Sequence, residues 1–180
     1  MRFLRYLVLG LLAAILLVLI AAIFVGRDFS YKKTIHIFAR PQKVWTHVNT
    51  IKKINTWNPW LHKDNGMNVL ISGQDGKPGA KLCWTSNRRV VGRGCLIFKE
   101  LKPYRLVECQ LQLISPHHID GQMYIRIEPA KVYGSMVSWE FRGQLPYQLR
   151  LIHLFTGVSR YLEKEMSRGL GQLKHHCENR

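Results

Sequence analysis

The chain has 180 residues, with 27 Lys and Arg against 11 Asp and Glu, a formal net charge of +16. An apolar fraction of 47% excludes a broadly disordered protein. The length leaves room for one domain of ordinary size beside an apolar leader, large enough for a real core and a cavity.

Residues 7–25 form an unbroken apolar run without a charge. At about 1.5 Å per residue such a run just spans a hydrocarbon core of about 30 Å. Arg2 and Arg5 flank one side, Arg27, Lys32 and Lys33 the other, and Tyr6 and Phe24 stand where ring anchors sit. A cleaved signal peptide would have a shorter apolar core and small residues three positions before the cut, where this sequence offers Phe24 or Ile20. The expectation is a retained single-pass membrane anchor over residues 1–28 and a ligand-binding domain over residues 29–180. More positive charge follows the run than precedes it, which leans toward a cytoplasmic domain, although long domains cross a membrane regardless of charge.

Only Arg2 and Arg5 precede the run, so nearly all of the excess charge belongs to the domain. A surface this basic attracts anions. For a tethered domain the nearest anionic surface is acidic lipid; the alternatives are no specific partner, or RNA or the ribosome, with nucleic acid the less favoured. The oligomeric state is open.

Residues 29–38 read as a strand. Pro41 opens a short helix to residue 49, and a second covers 50–57 before Asn58-Pro59 ends it. Strands follow at 67–72, 80–86 and 90–99, with Gly92 and Gly94 allowing a bend or making room beneath the sheet. Val107, Cys109, Leu111 and Leu113 then alternate with polar residues, as do Met123, Ile125 and Ile127, and Val137, Trp139 and Phe141, each a half-buried strand. From residue 147 to about 176 the period turns helical, with Leu149, Ile152, Phe155, Ser159, Leu162, Met166, Gly169, Leu170 and Leu173 on one stripe. One long helix cannot cover both faces of so many strands, so the expected fold is α+β, a curved antiparallel sheet of about six to seven strands wrapped around the terminal helix.

The pieces IHIFARPQKVWTHV (residues 35–48), INTWNPW (54–60), VGRG (91–94), LKPYRLV (101–107) and VSWEFRG (137–143), followed by the long helix, give the chain its resemblance. In order and spacing it resembles the START-related helix-grip superfamily, also called SRPBCC, and within it the bacterial polyketide cyclase/dehydrase and lipid-transport branch. The resemblance covers residues 30–174. It implies an apolar pocket between sheet and terminal helix, and members that bind lipids, sterols, quinones or polyketides, some as cyclases or hydrolases and many as carriers. It points to a fold more than to one activity.

The residues expected to contact a ligand are Trp57, Trp60, Met123, Ile125, Trp139, Phe155, Leu162 and Met166. The first two stand in a region the superfamily places near a pocket mouth, where they serve the core, the ligand or a membrane surface. Catalysis needs an acid or base inside the pocket. Glu108, Glu128 and Glu140 lie out of phase with the apolar positions and are expected in solvent, and Glu163 and Glu165 lie off the helical stripe. No HExxH, nucleophile triad or phosphate loop occurs. No catalytic residue, metal or cofactor is therefore assigned, and His62, His117 and His118 are the residues that keep an enzyme open. Cys83, Cys95, Cys109 and Cys177 have no CxxC spacing and read as core thiols before a disulfide or a metal site. The favoured function is membrane-tethered binding or transport of a lipid or isoprenoid. Behind it stand a cyclase or hydrolase and a ribosome- or RNA-contacting protein.

Overall fold

The computed structural model describes residues 2–24, 26–146, 149 and 158–179, and within the first helix the side chains of residues 3–13, 16, 17 and 20. The elements in chain order are α1 (Arg2–Phe24), β1 (Asp28–Ile37), α2 (Pro41–Trp45), α3 (Ile51–Trp57), a 3-10 turn (Pro59–His62), β2 (Asn68–Ser72), β3 (Lys81–Thr85), β4 (Arg93–Lys102), β5 (Leu106–Ser115), β6 (Ile119–Pro129), β7 (Ser135–Gln144) and α4 (Val158–Glu178).

All seven strands form one sheet in the order β1-β7-β6-β5-β4-β3-β2, every neighbour antiparallel. Period-2 alternation gives the sheet an apolar face, and α4 lies against it, with Met166, Leu170, Leu173 and Cys177 buried. This is the gripped helix that the sequence pattern implied. Two ion pairs hold its first half, Lys33 to Glu163 at 2.9 Å and Lys63 to Glu165 at 3.0 Å. At its other end Glu178 accepts the Phe38 N–H at 2.6 Å, and Lys174 donates to the His36 carbonyl at 3.0 Å.

Several expectations need correction. α2 stops at Trp45 rather than residue 49 and gives way to turns. β4 starts at Arg93 rather than residue 90, after a positive φ at Gly92 and beside a bulge between Arg93 and Gly94. Residues 147, 148 and 150–157, expected in the terminal helix, lie outside the described residues.

Cys83 and Cys95, read as thiols, are joined by a disulfide across the β3–β4 register, where they face one another directly. Alternation hid the pairing, since each cysteine is locally an ordinary strand residue. Cys109 and Cys177 are buried thiols, and burial pushes the latter up to about 12. Among the described residues no group of three or more His, Cys, Asp and Glu is placed to hold a metal.

The membrane-spanning segment expected over residues 7–25 finds no support here: among the described residues no helix is long and apolar enough to cross a membrane. α1 itself runs from Arg2 through Phe24.

Gly169 marks the tightest contact between helix and sheet. A Cβ there would lie 2.7 Å from Cζ3 of Trp139 and 2.9 Å from Cδ of Pro59, both parts of rigid rings. Gly169→Ala therefore sets an overpacking cost of about 1–3 kcal/mol against a helix-propensity gain of about 1 kcal/mol. The expected result is a net loss of about 1 kcal/mol, read as a lower denaturant midpoint with an unchanged slope; an unchanged or raised midpoint would mean that the Trp139 and Pro59 rings yield without cost.

Candidate functional site

The concave face of the sheet is filled at one end and hollow at the other. At the filled end four rings interlock. Trp139 meets Trp57 edge-on at 5.0 Å and Trp60 at 5.3 Å, while Phe141 lies 5.4 Å from Trp60 and 5.2 Å from Trp139. Ile125 and Met166 are buried beside them. Trp57 is held there by its place in α3: Thr50 caps the helix by accepting the Lys53 N–H, and the indole N–H donates to the His47 carbonyl at 2.9 Å. Asn58 ends α3 and starts the 3-10 turn by accepting the Trp60 N–H, which swings Trp60 onto the same cluster.

Beyond the rings lies a cavity of about 530 Å³ between sheet and α4, a size suited to a small-molecule ligand. Leu82, Leu96, Leu111, Met123 and Phe141 form its inner wall, and Trp60, Tyr161 and Leu162 close it from the helical side. Trp84, Val90, Val91, Pro116, His117, Leu145 and Leu149 line its outer end, its mouth, where Val90, Pro116 and His117 are exposed. Trp84 is positioned by Gly94, its cross-strand partner, where a Cβ would come within 2.5 Å of the indole; its N–H donates to the Val91 carbonyl at 3.3 Å. Gly92, at φ 60°, presses against the Ser115 carbonyl and joins the two loops at the mouth, since a Cβ there would fall 1.8 Å from that oxygen.

Of the eight residues expected to meet a ligand, Trp60, Met123 and Leu162 line this cavity. Trp57, Ile125, Trp139 and Met166 are wholly buried in the packed end, as its floor and core. Phe155 lies outside the described residues. A membrane-facing role for Trp57 is overturned by its complete burial. Sequence reasoning missed Leu82, Trp84, Leu96 and, apart from His117 and Leu149, the mouth residues, because it took the register from the last three strands and left β3 and β4 unassigned to a face; the phase of Leu82, Trp84 and Leu96 carried that signal.

His117 sits at the mouth, while His118 is exposed and pairs with Asp120 at 3.1 Å. His62 lies 2.6 Å from the Asn55 carbonyl, away from the cavity. Among the described lining residues, only His117, Arg142 and the phenols of Tyr31 and Tyr161 are ionisable, and none is a carboxylate. A larger, more open cleft of about 1110 Å³ lies on the other face, walled by Arg27, Lys99 and Arg142 and by Asp28, Glu108 and Asp120. Charges of both signs suit it to water, so the smaller apolar cavity is the candidate site despite its size.

Two carboxylates expected away from the apolar faces are buried: Glu165, which pairs with Lys63, and Glu140. Glu140 is out of phase with the core as expected, but on the outer face Arg126, Arg142 and Ser30 all donate to it and cover it. Burial pushes its carboxyl up, and the hydrogen bonds from Arg142, Arg126 and Ser30 together hold it below its ordinary value of 4.5. This cluster ties β1, β6 and β7 together directly behind the ring floor.

The sequence family described as polyketide cyclase/dehydrase and lipid transport matches residues 28–178. The chain belongs to that family. No curated protein matches it in sequence. Among solved structures it is similar to protein CV1439 from Chromobacterium violaceum, at 16% identity and TM-score 0.57, over 84% of this chain and 98% of that one. It is also similar to SA2116 from Staphylococcus aureus, described as of unknown function, at 10% identity and TM-score 0.60, over 84% and 94%. A third is Ara h 8.0201, at 12% identity and TM-score 0.56, over 83% and 97%. At such identities these likenesses establish the shared fold.

Glu140→Gln tests the outer cluster. At pH 7 the carboxyl is ionised in both folded and unfolded chains; its contribution is present above the unfolded value near 4.5 and lost as pH falls through the lower folded value. The variant is expected to lose about 1–3 kcal/mol at pH 7 and to show a shallower decline of stability below pH 4.5 than the parent. Parallel acid limbs in parent and variant, followed by circular dichroism, would refute this role.

Proposed function

We propose that this protein binds or carries a hydrophobic small molecule, a lipid or an isoprenoid, in the cavity between sheet and α4, while α1 tethers it to a membrane. The observation that carries the reading is the cavity's apolar wall, lined without a carboxylate among the described residues. Burial of an apolar guest there is favoured by about 25 cal/mol per Å² of apolar surface, less the cost of ordering it. The same wall offers little to stabilise developing charge, which acyl transfer and cyclisation require. Among the described lining residues His117 is the imidazole that a cyclase or hydrolase would use, and it keeps that second reading alive.

For the tether, the support is that the described side chains of α1 are all exposed, Leu4, Leu7, Leu9, Leu11 and Leu12 among them. Apolar side chains so exposed along a helix call for an apolar surrounding. Two opposed features bear on the side of the membrane. Basic residues after α1 favour the cytoplasm, whereas a disulfide persists in oxidising compartments. The disulfide weighs more, because charge does not hold back a long domain. Maleimide treatment of whole chain denatured from cells without reductant is expected to modify Cys109 and Cys177 and spare Cys83 and Cys95; modification of all four would put the domain in a reducing compartment.

The function is tested by native mass spectrometry of the full chain purified from membranes. A hydrophobic molecule is expected to co-purify. Leu111→Trp, which fills the cavity wall, is expected to cut retention about tenfold, the effect of about 1.4 kcal/mol, without loss of fold. Retention unchanged in Leu111→Trp would remove the cavity as the site. A His117→Ala variant that retains ligand but loses function in cells would turn the reading to an enzyme.

A further inference from the structure

The register of the sheet brings four features to one end. β1 begins at Asp28 opposite Gln144, the end of β7, and β6 begins at Ile119 near the end of β5. β5 ends at Ser115 opposite Arg93, the start of β4, and Arg93 faces Thr85, the end of β3. The point where the chain arrives from α1, the β3–β4 loop, the β5–β6 turn and the segment after β7 therefore share one edge. The cavity reaches that end, where Val90, Val91, Pro116, His117, Leu145 and Leu149 line it and Val90, Pro116 and His117 are exposed.

The β3–β4 loop has the composition of a bilayer contact. Val90 stands 78% exposed at its tip, beside Arg88 and Arg89, with Arg93 just behind. Arg88 lies 3.8 Å from Asp64, whereas Arg89 and Arg93 have no carboxylate partner among the described residues. An apolar tip among arginines matches an anionic interface, where the side chain enters the acyl boundary and the guanidinium groups meet phosphate. Gly92 and the bulge after it fix this loop against Ser115, so the tip is held beside the opening.

We infer that the cavity mouth faces an anionic lipid bilayer, with Val90 and the arginines around it seated in the interface, so that an apolar guest passes between membrane and cavity without crossing water. This rests on the proposed tether and cavity. A guest leaving the bilayer through open water would expose its apolar surface, at a cost that grows with each CH₂ group; a mouth sealed on the interface avoids that. The rival face is the opposite end of the sheet, where Phe38, Val132 and Tyr133 are exposed beside Lys131. It has basic and apolar residues too, but it lies away from both the arrival of α1 and the opening.

The two ends offer matched probes, for Val132 is 76% exposed. Val90→Cys and Val132→Cys full chains are labelled separately with the fluorophore NBD; the native cysteines are buried or in the disulfide. Each is mixed with vesicles of phosphatidylcholine and phosphatidylglycerol in equal parts, containing doxyl-labelled lipid as quencher. The label at 90 is expected to be quenched at least about threefold more strongly than the label at 132, quenching being confined to groups at the interface. Equal quenching, stronger quenching at 132, or a chain that fails to float with the vesicles would overturn the inference. Co-purifying ligand is measured on the same chains. Quenching at 90 by an empty protein upholds the orientation while removing the ligand reading, and a loaded protein quenched at 132 removes the orientation alone.

Discussion

Trp139 against Trp57, with Gly169 of α4 close against Trp139, is the contact on which the arrangement depends. A glycine lets α4 approach that indole so near, and the same indole meets Trp57 and Trp60 in one floor. Past the floor the helix and sheet are packed together; before it, they stand apart and enclose the cavity. The hollow is thus a product of how tightly the other half is packed. Protein interiors do not tolerate partial filling, so a chain that keeps a cavity must fix its walls by contacts elsewhere.

The outer face of the sheet does part of that fixing. Ring packing acts on β7 from the concave side, and the Glu140 cluster acts on the same strand from the convex side, joining it to β1 and β6. A carboxylate surrounded by two guanidinium groups and a hydroxyl satisfies its lone pairs while retaining its charge. The strand that carries most of the floor is therefore held from both faces.

Much of this was legible in the sequence. Period 2 in β5, β6 and β7 placed Met123, Ile125 and Trp139 on one face, and the helical stripe brought Met166 to meet them. What periodicity could not supply was depth along the groove. Met123 and Ile125 share a face and differ by one pleat, yet the first touches the cavity and the second is sealed beneath it. That distinction comes from the rings of Trp57 and Trp60, delivered by a capped helix and a 3-10 turn whose direction no repeat encodes. Glu140 was misplaced for a related reason: phase gives the face of a strand, and neighbouring long side chains decide whether that face meets water. The disulfide escaped because cross-strand partnership depends on register, which loop lengths set.

The pairing of β1 with β7 has a consequence for how the molecule is made. The first strand to leave the ribosome finds its partner only when the seventh arrives, more than a hundred residues later, Asp28 lying opposite Gln144. Until then its main-chain groups have no ladder to join, while β2 through β7 assemble by connections between strands consecutive in sequence. Closing such a span costs only a few times RT in chain entropy, but it places the slowest search at the end of folding. The rest of the sheet is thus a template already built when β1 docks, and β1 is synthesised first and folded last.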